Sequence, residues 1–515
     1  MATPRKGRLA GALAALCALA AGEFLAAVGG ISSPVVAVGD LVIDLTPGPV
    51  IRQTIALLGT AQKPLLLTGI VTTVAILGWV VGRQPNSHLA ITSFLAAGAL
   101  GGLATARTGA YFGGPLVGLT TAAVGIFALR RGIRTLEPGV GDASEDPRIT
   151  TATRRGFLGY AAGMTAAAGS LAAGSRLLVD RRDDELRSLV TLPARRRSVP
   201  TGRKRPSLTT TTEGPFRNPD GLTQWITPND RFYRIDTALS IPRVDPKSWT
   251  LAIDGLVDRP LLFTLDDLLS MELVDAAITL SCVSNEIGGP LVGNAVWTGV
   301  PLSELLETAG IGTTAEQVMS RSVDGFTAGF PLRVLDDDRT ALVAVGMNGE
   351  PLPFRHGFPA RLVVAGIYGY VSAVKWLENI SLTTMAEDGY WIPRGWAKEA
   401  PIKIASRIDV PLRSQLPAGR HAVAGVAWAP VTGVAAVELQ VDDGPWLECR
   451  LRQEEAPGQE GDSWVQWFTD WEAEPGRRIL RVRAYDLEGR VQSEGPKSIA
   501  PDGAEGWHTR RVLIV

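Results

Sequence analysis

The stretch Thr279-Leu-Ser-Cys-Val-Ser-Asn-Glu286 decides how the rest of this 515-residue chain is read. Cys282, at its centre, is one of three cysteines. Cys17 lies in an apolar run and Cys449 in a late segment with strand-like patterning. Cys282 alone is followed by a glycine-rich turn, Gly288-Gly289-Pro290, and then by Val296-Trp-Thr-Gly-Val-Pro-Leu302. A thiolate is a soft ligand suited to a transition metal, and a single one does not make a structural cysteine-based zinc site. The competing reading is a buried, inert thiol that packs as a small apolar side chain. The surrounding sequence decides between them.

Around Cys282, residues 209–400 mix short β-runs with helices. Leu265-Asp-Asp-Leu-Leu269 and Leu302-Ser-Glu-Leu-Leu306 have the i, i+3, i+4 spacing of amphipathic helices. Ala341-Leu-Val-Ala-Val345 and Arg361-Leu-Val-Val-Ala365 read as buried strands, with Gly346, Gly349, Gly357, Pro351, Pro353 and Pro359 punctuating the loops. This predicts an α+β domain whose functional residues lie on loops.

Five blocks in order carry a family likeness: Thr227-Pro-Asn-Asp-Arg-Phe-Tyr-Arg234, the Cys282 block, Gly346-Met-Asn-Gly-Glu-Pro-Leu-Pro353, His356-Gly-Phe-Pro-Ala-Arg361 and Val374-Lys-Trp376. With these, the chain from about Thr209 to its C-terminus resembles the molybdenum domain of the sulfite-oxidase family. The resemblance implies that Cys282 binds molybdenum through its thiolate, beside two sulfurs from a single molybdopterin. It further implies oxygen-atom transfer on a small-molecule substrate. Arg361 suits the pterin's phosphate, because a guanidinium grips phosphate through two parallel hydrogen bonds. His356 is implied as a donor to the same group or to the pterin, and Lys375 as a further positive charge. The plainer alternatives are a hydrogen-bonded turn residue for His356 and a solvated strand end for Lys375. Asn229, Tyr233 and Arg234 match the family's early cofactor-contact segment, and Asp324 a later one.

Two departures bear on substrate. Sulfite oxidases place an arginine shortly after the metal-ligating cysteine, whereas here Val283, Ser284, Asn285 and Glu286 follow, and a carboxylate there would repel sulfite. The family's tyrosine near the metal corresponds to Trp396 of Tyr390-Trp-Ile-Pro-Arg-Gly-Trp396, with Arg394 placed to compensate. Reduction of a sulfoxide of the methionine-sulfoxide type is therefore a second enzymatic reading. A cofactor-free, membrane-tethered binding module is a third, opposed by the joint presence of Cys282, His356, Arg361 and Lys375.

At this length the chain should fold as several domains. Lys+Arg 51 against Asp+Glu 52 gives a net charge of −1, which argues against nucleic acid as a partner. Mean hydropathy is +0.13, with the excess at the N-terminus. Four runs, near Leu9–Ile31, Pro64–Val81, Leu89–Ala106 and Ala110–Leu129, have about the 20 residues a bilayer-spanning helix needs. Arg5, Lys6 and Arg8, then Arg83, then Arg130, Arg131 and Arg134 flank them in the order that four spans with a cytoplasmic N-terminus require. Glu23 is the one acid within a span, read either as a functional site or as reaching an interface. His88 alone in this half does not provide the two imidazoles of a bis-histidine haem.

A polar linker, Gly139 to Pro147, precedes Thr153-Arg-Arg-Gly-Phe-Leu158 and an alanine-rich run to Val179. This resembles a twin-arginine targeting signal placed inside the chain; the plainer reading is a basic flank on a fifth span. Export of a protein already folded around its cofactor suits the molybdenum reading, and would put the catalytic half outside the plasma membrane. The basic stretch Arg181 to Arg205 reads as a linker suited to anionic membrane lipid. From Pro401, short alternating strands such as Val437-Glu-Leu-Gln-Val441 predict an all-β immunoglobulin-like sandwich, where the likeness extends to the family's dimerisation domain and leaves a homodimer open. Trp428, Trp446, Trp464, Trp467 and Trp471 read as core and sheet-surface residues. The expected architecture is thus multi-domain. It comprises a four-helix transmembrane segment (1–135), a linker with the twin-arginine motif and a fifth helix (136–205), the molybdopterin domain (206–400) and the sandwich (401–515). A quinone or a separate carrier is the expected electron partner.

Overall fold

The computed structural model describes residues 4–58, 61–84, 88–108, 111–135, 147–194, 197–198, 218–337, 339–452 and 461–515. Residues 139–146 of the expected linker, and residues 195–196 and 199–205 of the basic stretch, lie outside these. The chain divides into two units, residues 1–185 with 238–240, and residues 186–237 with 241–515.

The first unit is helical: α1 (Pro4–Gly29), α2 (Pro34–Leu45), α3 (Gly48–Leu58), α4 (Gln62–Val81), α5 (His88–Arg107), α6 (Gly113–Arg134) and α7 (Pro147–Ser188). Four stretches are long and apolar enough to cross a membrane, Gly7–Gly29, Gln62–Val81, His88–Arg107 and Gly113–Arg134, matching the four expected runs. The expected fifth span forms as part of α7 but is not one of these. Its run is alanine and glycine interrupted by Thr165, Ser170, Ser175 and Arg176, so it is helical without being strongly apolar.

Small residues set the packing of this unit. A Cβ on Gly118 would lie 2.3 Å from the Gly98 carbonyl oxygen, and one on Gly114 2.5 Å from that of Gly102. Likewise, a Cβ on Gly11 would lie 2.1 Å from the Gly78 carbonyl, and one on Gly82 2.3 Å from that of Gly7. Each pair of glycines is spaced by four on its helix, the close-approach pattern of membrane helices. Glu23 is accounted for locally: its carboxylate accepts the Ser33 hydroxyl at 2.7 Å and the Val35 N–H at 3.2 Å, capping the start of α2.

The second unit is built on sheets. Its strands are β1 (Arg197–Ser198), β2 (Thr250–Gly255), β3 (Leu261–Thr264), β4 (Val274–Ser281), β5 (Val292–Pro301), β6 (Gln317–Ser322), β7 (Thr327–Pro331), β8 (Ala341–Met347), β9 (Glu350–Pro351), β10 (Arg361–Val364) and β11 (Leu377–Thr383). One sheet runs β1-β4-β5-β8-β10 with β9 beside β8; the other runs β3-β2-β11-β6-β7. The expected helices appear as α8 (Leu265–Ser270) and α9 (Leu302–Ala309), and α9 buries Leu302, Leu305, Leu306 and Ala309 on one face. A short turn of helix, α10 (Gly369–Ser372), follows β10. Residues 341–347 and 361–364 form the expected strands, and most of their side chains are buried.

From residue 405 the chain is β-rich, with β12 (Ala405–Val410), β13 (Gln415–Leu416), β14 (Gly419–Trp428), β15 (Val434–Val441), β16 (Trp446–Glu448), β17 (Arg450–Arg452), β18 (Val465–Ala473), β19 (Gly476–Asp486) and β20 (His508–Ile514). Two sheets, β12-β14-β18-β17 and β13-β20-β19-β15-β16, share one core. In β19, Leu480, Val482 and Ala484 are fully buried and alternate with half-exposed Arg481, Arg483 and Tyr485. Trp428, Trp464, Trp467 and Trp471 are buried, and Trp446 packs edge-on against Trp507, so all five are structural.

Candidate functional site

Strand β4 pairs with β5 in a register that places Ser281 opposite Val292, so Cys282 is the first residue beyond the strand. Its N–H donates to the Leu291 carbonyl at 2.9 Å, and the Ser284 N–H donates to its Sγ at 3.4 Å. The loop back to β5 is closed from within by Asn285, whose Oδ1 accepts the Leu291 N–H at 2.8 Å. Gly288, at φ +74°, takes a conformation other residues rarely adopt, and a Cβ there would lie 2.3 Å from the His508 ring. Arg407 donates to the Gly289 carbonyl at 2.9 Å. Behind the loop, the Thr279 N–H donates to the Asp462 carbonyl at 2.9 Å and the Trp464 N–H to the Thr279 hydroxyl at 2.8 Å. The β-rich C-terminal region thus braces the strand and loop that present the thiol.

The cations come from one tight turn. Gly357, at φ +112°, follows a short turn at Phe354–His356, and a Cβ there would meet the Arg361 Cβ at 3.0 Å and the Lys375 backbone at 3.1 Å. Only a glycine lets these two strand ends approach, which brings Arg361 and Lys375 together. Trp376 follows at φ +50°, strained for a side-chain-bearing residue. Its indole donates to the Phe354 carbonyl at 2.8 Å, holding the turn.

Tyr233, Asp236, Cys282, Asp324, Arg361 and Lys375 line a common cavity, with Phe326, Tyr370 and Trp391 among its aromatic walls. Arg361 is buried, and its guanidinium donates to the carbonyls of His356 at 3.1 Å, Ala373 at 3.3 Å and Leu362 at 3.5 Å. It also lies over the Trp297 ring, 4.8 Å from its centre. No carboxylate pairs with it among the described residues, which marks it as a partner for an anion. Burial pulls it down to about 10. Lys375 is pulled down to about 8, chiefly by burial and against the pull of Asp236. Burial raises Cys282, opposed by Ser284 and Lys375.

His356 is fully buried, and its Nε2 meets the Asn229 carbonyl at 2.8 Å. Burial chiefly holds it down at about 3, so the ring is neutral and Nε2, facing a carbonyl, carries the hydrogen. Nδ1 is then an acceptor, buried and without a partner among the described residues. This alters the expected role: a bare ring nitrogen suits an N–H of a bound group, not a phosphate oxygen.

Five of the expected residues, Tyr233, Cys282, Asp324, Arg361 and Lys375, therefore line one cavity. Asn229 stands behind them, its carbonyl on His356 and its side chain on Asn348 and Glu350. Arg234 grips Asp236 rather than reaching the wall. Arg394 lies over the Tyr390 ring at 3.7 Å and Trp396 packs 5.8 Å from Tyr370; neither is a lining residue, whereas Trp391 of the same stretch is. Glu286 is exposed and off the wall, so the expected repulsion from it does not act there. Sequence reasoning missed Asp236, which lies two residues beyond the end of the Thr227–Arg234 block.

A thiol, an unbalanced buried guanidinium and an ammonium on one cavity together fit a group that is at once metal-bearing and anionic; His356, with its unpaired Nδ1, is not among the lining residues. Residues 238–391 match the family model of the oxidoreductase molybdopterin binding domain. The chain is 28% identical to human mitochondrial sulfite oxidase over 360 residues, covering 60% of this chain and 64% of that one. It is 26% identical to Arabidopsis thaliana sulfite oxidase over 352 residues (57% and 86%). To Hordeum vulgare nitrate reductase [NAD(P)H] it is 27% identical over 319 residues (50% and 35%). The chain thus spans less than two thirds of the human relative's length. Site and comparisons define a molybdopterin-binding domain, with the molybdenum cofactor as its prosthetic group. Residues 238–391 thus form a molybdopterin-binding oxidoreductase domain similar to those of sulfite oxidases and nitrate reductases.

Proposed function

We propose that this protein is a membrane-anchored molybdopterin-dependent oxidoreductase that performs oxygen-atom transfer on a small substrate, with Cys282 as the protein's metal ligand. The observation that carries this is Arg361, buried on the same cavity as the Cys282 thiol and hydrogen-bonded only to carbonyls. When bound, the molybdenum group supplies an acceptor and donor of an oxygen atom as the metal changes oxidation state.

The chain's own residues prepare that chemistry. Burial favours the protonated Cys282 sulfur, and a bound metal would hold it as the thiolate. Arg361 and Lys375 hold the pterin's phosphate, and His356, held by Asn229, accepts an N–H of the pterin. Tyr233 and Asp324 form the cavity wall. Arg394 and Trp396 act one side chain back, on Tyr390 and Tyr370.

In this reading the four apolar spans anchor the chain in the plasma membrane, and the paired arginines at the start of α7 direct export of the folded catalytic half. Electrons pass to or from a quinone or a separate carrier. The domain boundaries are those expected from the sequence, the C-terminal region is an immunoglobulin-like sandwich, and a homodimer is the assembly to test. Sulfoxide reduction is the second reading. It is favoured by the aromatic walls Phe326, Tyr370 and Trp391, and by the lack of any lining arginine besides Arg361.

Molybdenum per chain, together with dye-linked turnover of sulfite and of methionine sulfoxide, tests both. Wild type should hold about one molybdenum. Cys282→Ala should lose more than about 100-fold in turnover, since even outer-shell partners of a metal are worth 10–100-fold. Undiminished turnover in Cys282→Ala removes the proposed ligand, and the preferred oxide separates the two substrates.

A further inference from the structure

The cations at the cavity are unequally balanced. Arg361 faces only carbonyls, whereas Lys375 Nζ donates to the Ile235 carbonyl at 3.0 Å and to the Asp236 carboxylate at 3.1 Å. The same carboxylate receives Arg234 Nε at 2.8 Å and Nη2 at 3.2 Å. Only 7% of the Asp236 side chain and 9% of the Lys375 side chain are exposed, so this pair is dry. A buried ammonium close to a buried guanidinium loses its proton or withdraws unless a counter-charge holds it. Asp236 lines the cavity and Arg234 does not.

We propose that Asp236 is a positioning residue for cofactor loading: its carboxylate keeps the Lys375 ammonium charged and fixed at the cavity wall, and Arg234 braces that carboxylate from behind. The proposal rests on the molybdopterin reading above. Arg234 then acts through Asp236 and does not touch the cofactor. An anionic group entering the cavity meets a lysine already stripped of water and held in place, so less ordering remains at binding.

The test is molybdenum and pterin content per chain in full-length protein purified from cofactor-sufficient cells. The set is wild type, Asp236→Asn, Asp236→Glu, Lys375→Met, Arg234→Gln and the double variants Asp236→Asn/Lys375→Met and Arg234→Gln/Lys375→Met. Asp236→Asn and Lys375→Met should each lower loading about tenfold, the lower end for supporting residues of a metal site. The double variant should lose no more than Lys375→Met alone, because one residue acts through the other. Asp236→Glu should recover most of the loading, a rescue that a generally weakened fold would not show. Should Asp236→Asn fail to fold, as judged by near-ultraviolet circular dichroism, Arg234→Gln carries the test. It should lose about threefold alone and nothing further in the Lys375→Met background. Wild-type loading in Asp236→Asn, or a second tenfold loss in the double variant, overturns the proposal. A wild type without molybdenum sinks the cofactor reading itself.

Discussion

The two units of this chain solve opposite packing problems. In the helical unit, close approach is made by glycines meeting backbone carbonyls, and its cluster of Ala14, Ala18, Ala90, Phe94, Ala128 and Leu129 is made mostly of small side chains. In the sheet unit, a continuous core of large side chains, Trp297, Phe330, Phe358 and Trp464 among them, encloses the ionised groups Arg361, Lys375 and Asp236. Among lipid tails apolar side chains gain little by leaving their surroundings, so contact area and shape carry helix association. In water, burial of large side chains carries the fold and leaves stability to spare for a few dry charges. Charge is gathered where a ligand can use it. In the helical unit the Glu23 carboxylate, within a candidate span, serves as a helix cap.

If the contrast is right, the most damaging change lies at the glycine that joins the site's strands. Gly357→Ala should cost about 3 kcal/mol, combining an unfavourable φ with contact against the Lys375 backbone, as read by chemical denaturation of the second unit's signal. Gly118→Val should cost about 2 kcal/mol by separating α5 from α6, seen as lost resistance to unfolding in detergent. Gly69→Ala is its control: nothing lies within 4 Å of the added Cβ, and the change should be neutral or slightly stabilising. If the two behave alike, close glycine contact is not what holds the helices.

A pH dependence probes the seam between the cysteine loop and the C-terminal region. His508 accepts the Ile408 N–H at Nδ1, and burial chiefly, with Arg510 and Arg407, holds it down at about 4. A histidine with a depressed folded value binds fewer protons than the unfolded chain. Its contribution is therefore intact above the ordinary value of 6.5 and is lost as pH falls towards 4. The loss should reach about 2 kcal/mol at pH 5. His508→Gln should flatten that slope in thermal melts at pH 7 and pH 5; an unchanged slope removes the assignment. Among the destabilising changes the smallest effect is expected from Glu23→Ala, about 1 kcal/mol for a lost helix cap. Unchanged electron transfer in that variant would confine Glu23 to the cap.

Local patterns carried much of this fold into the sequence. The apolar runs, the amphipathic α9, and the strands at residues 341–347 and 361–364 each follow from side-chain period over a short window. Cys282 and Arg361 were legible because each sits in a motif with its own glycines and prolines, and Lys375 because Val374-Lys-Trp376 follows those motifs in order. What escaped depends on partners distant in the chain. Asp236 matters because Lys375 is 139 residues away, and Arg407 because Gly289 is 118 residues away. A short stretch around Arg394 shows its composition but not its orientation, which is why Trp391 and not Trp396 reaches the cavity. The four-residue glycine spacing was present throughout, but a reading keyed to apolar runs passes over it.

The hydrogen bonds from Thr279 to Asp462 and from Trp464 to Thr279 have a consequence in time. A ribosome releases residues in order, so the thiol-bearing strand emerges long before the segment that braces it. Until Asp462 and Trp464 have emerged, that strand lacks two of its anchors, and insertion of a prosthetic group into a formed site waits for them.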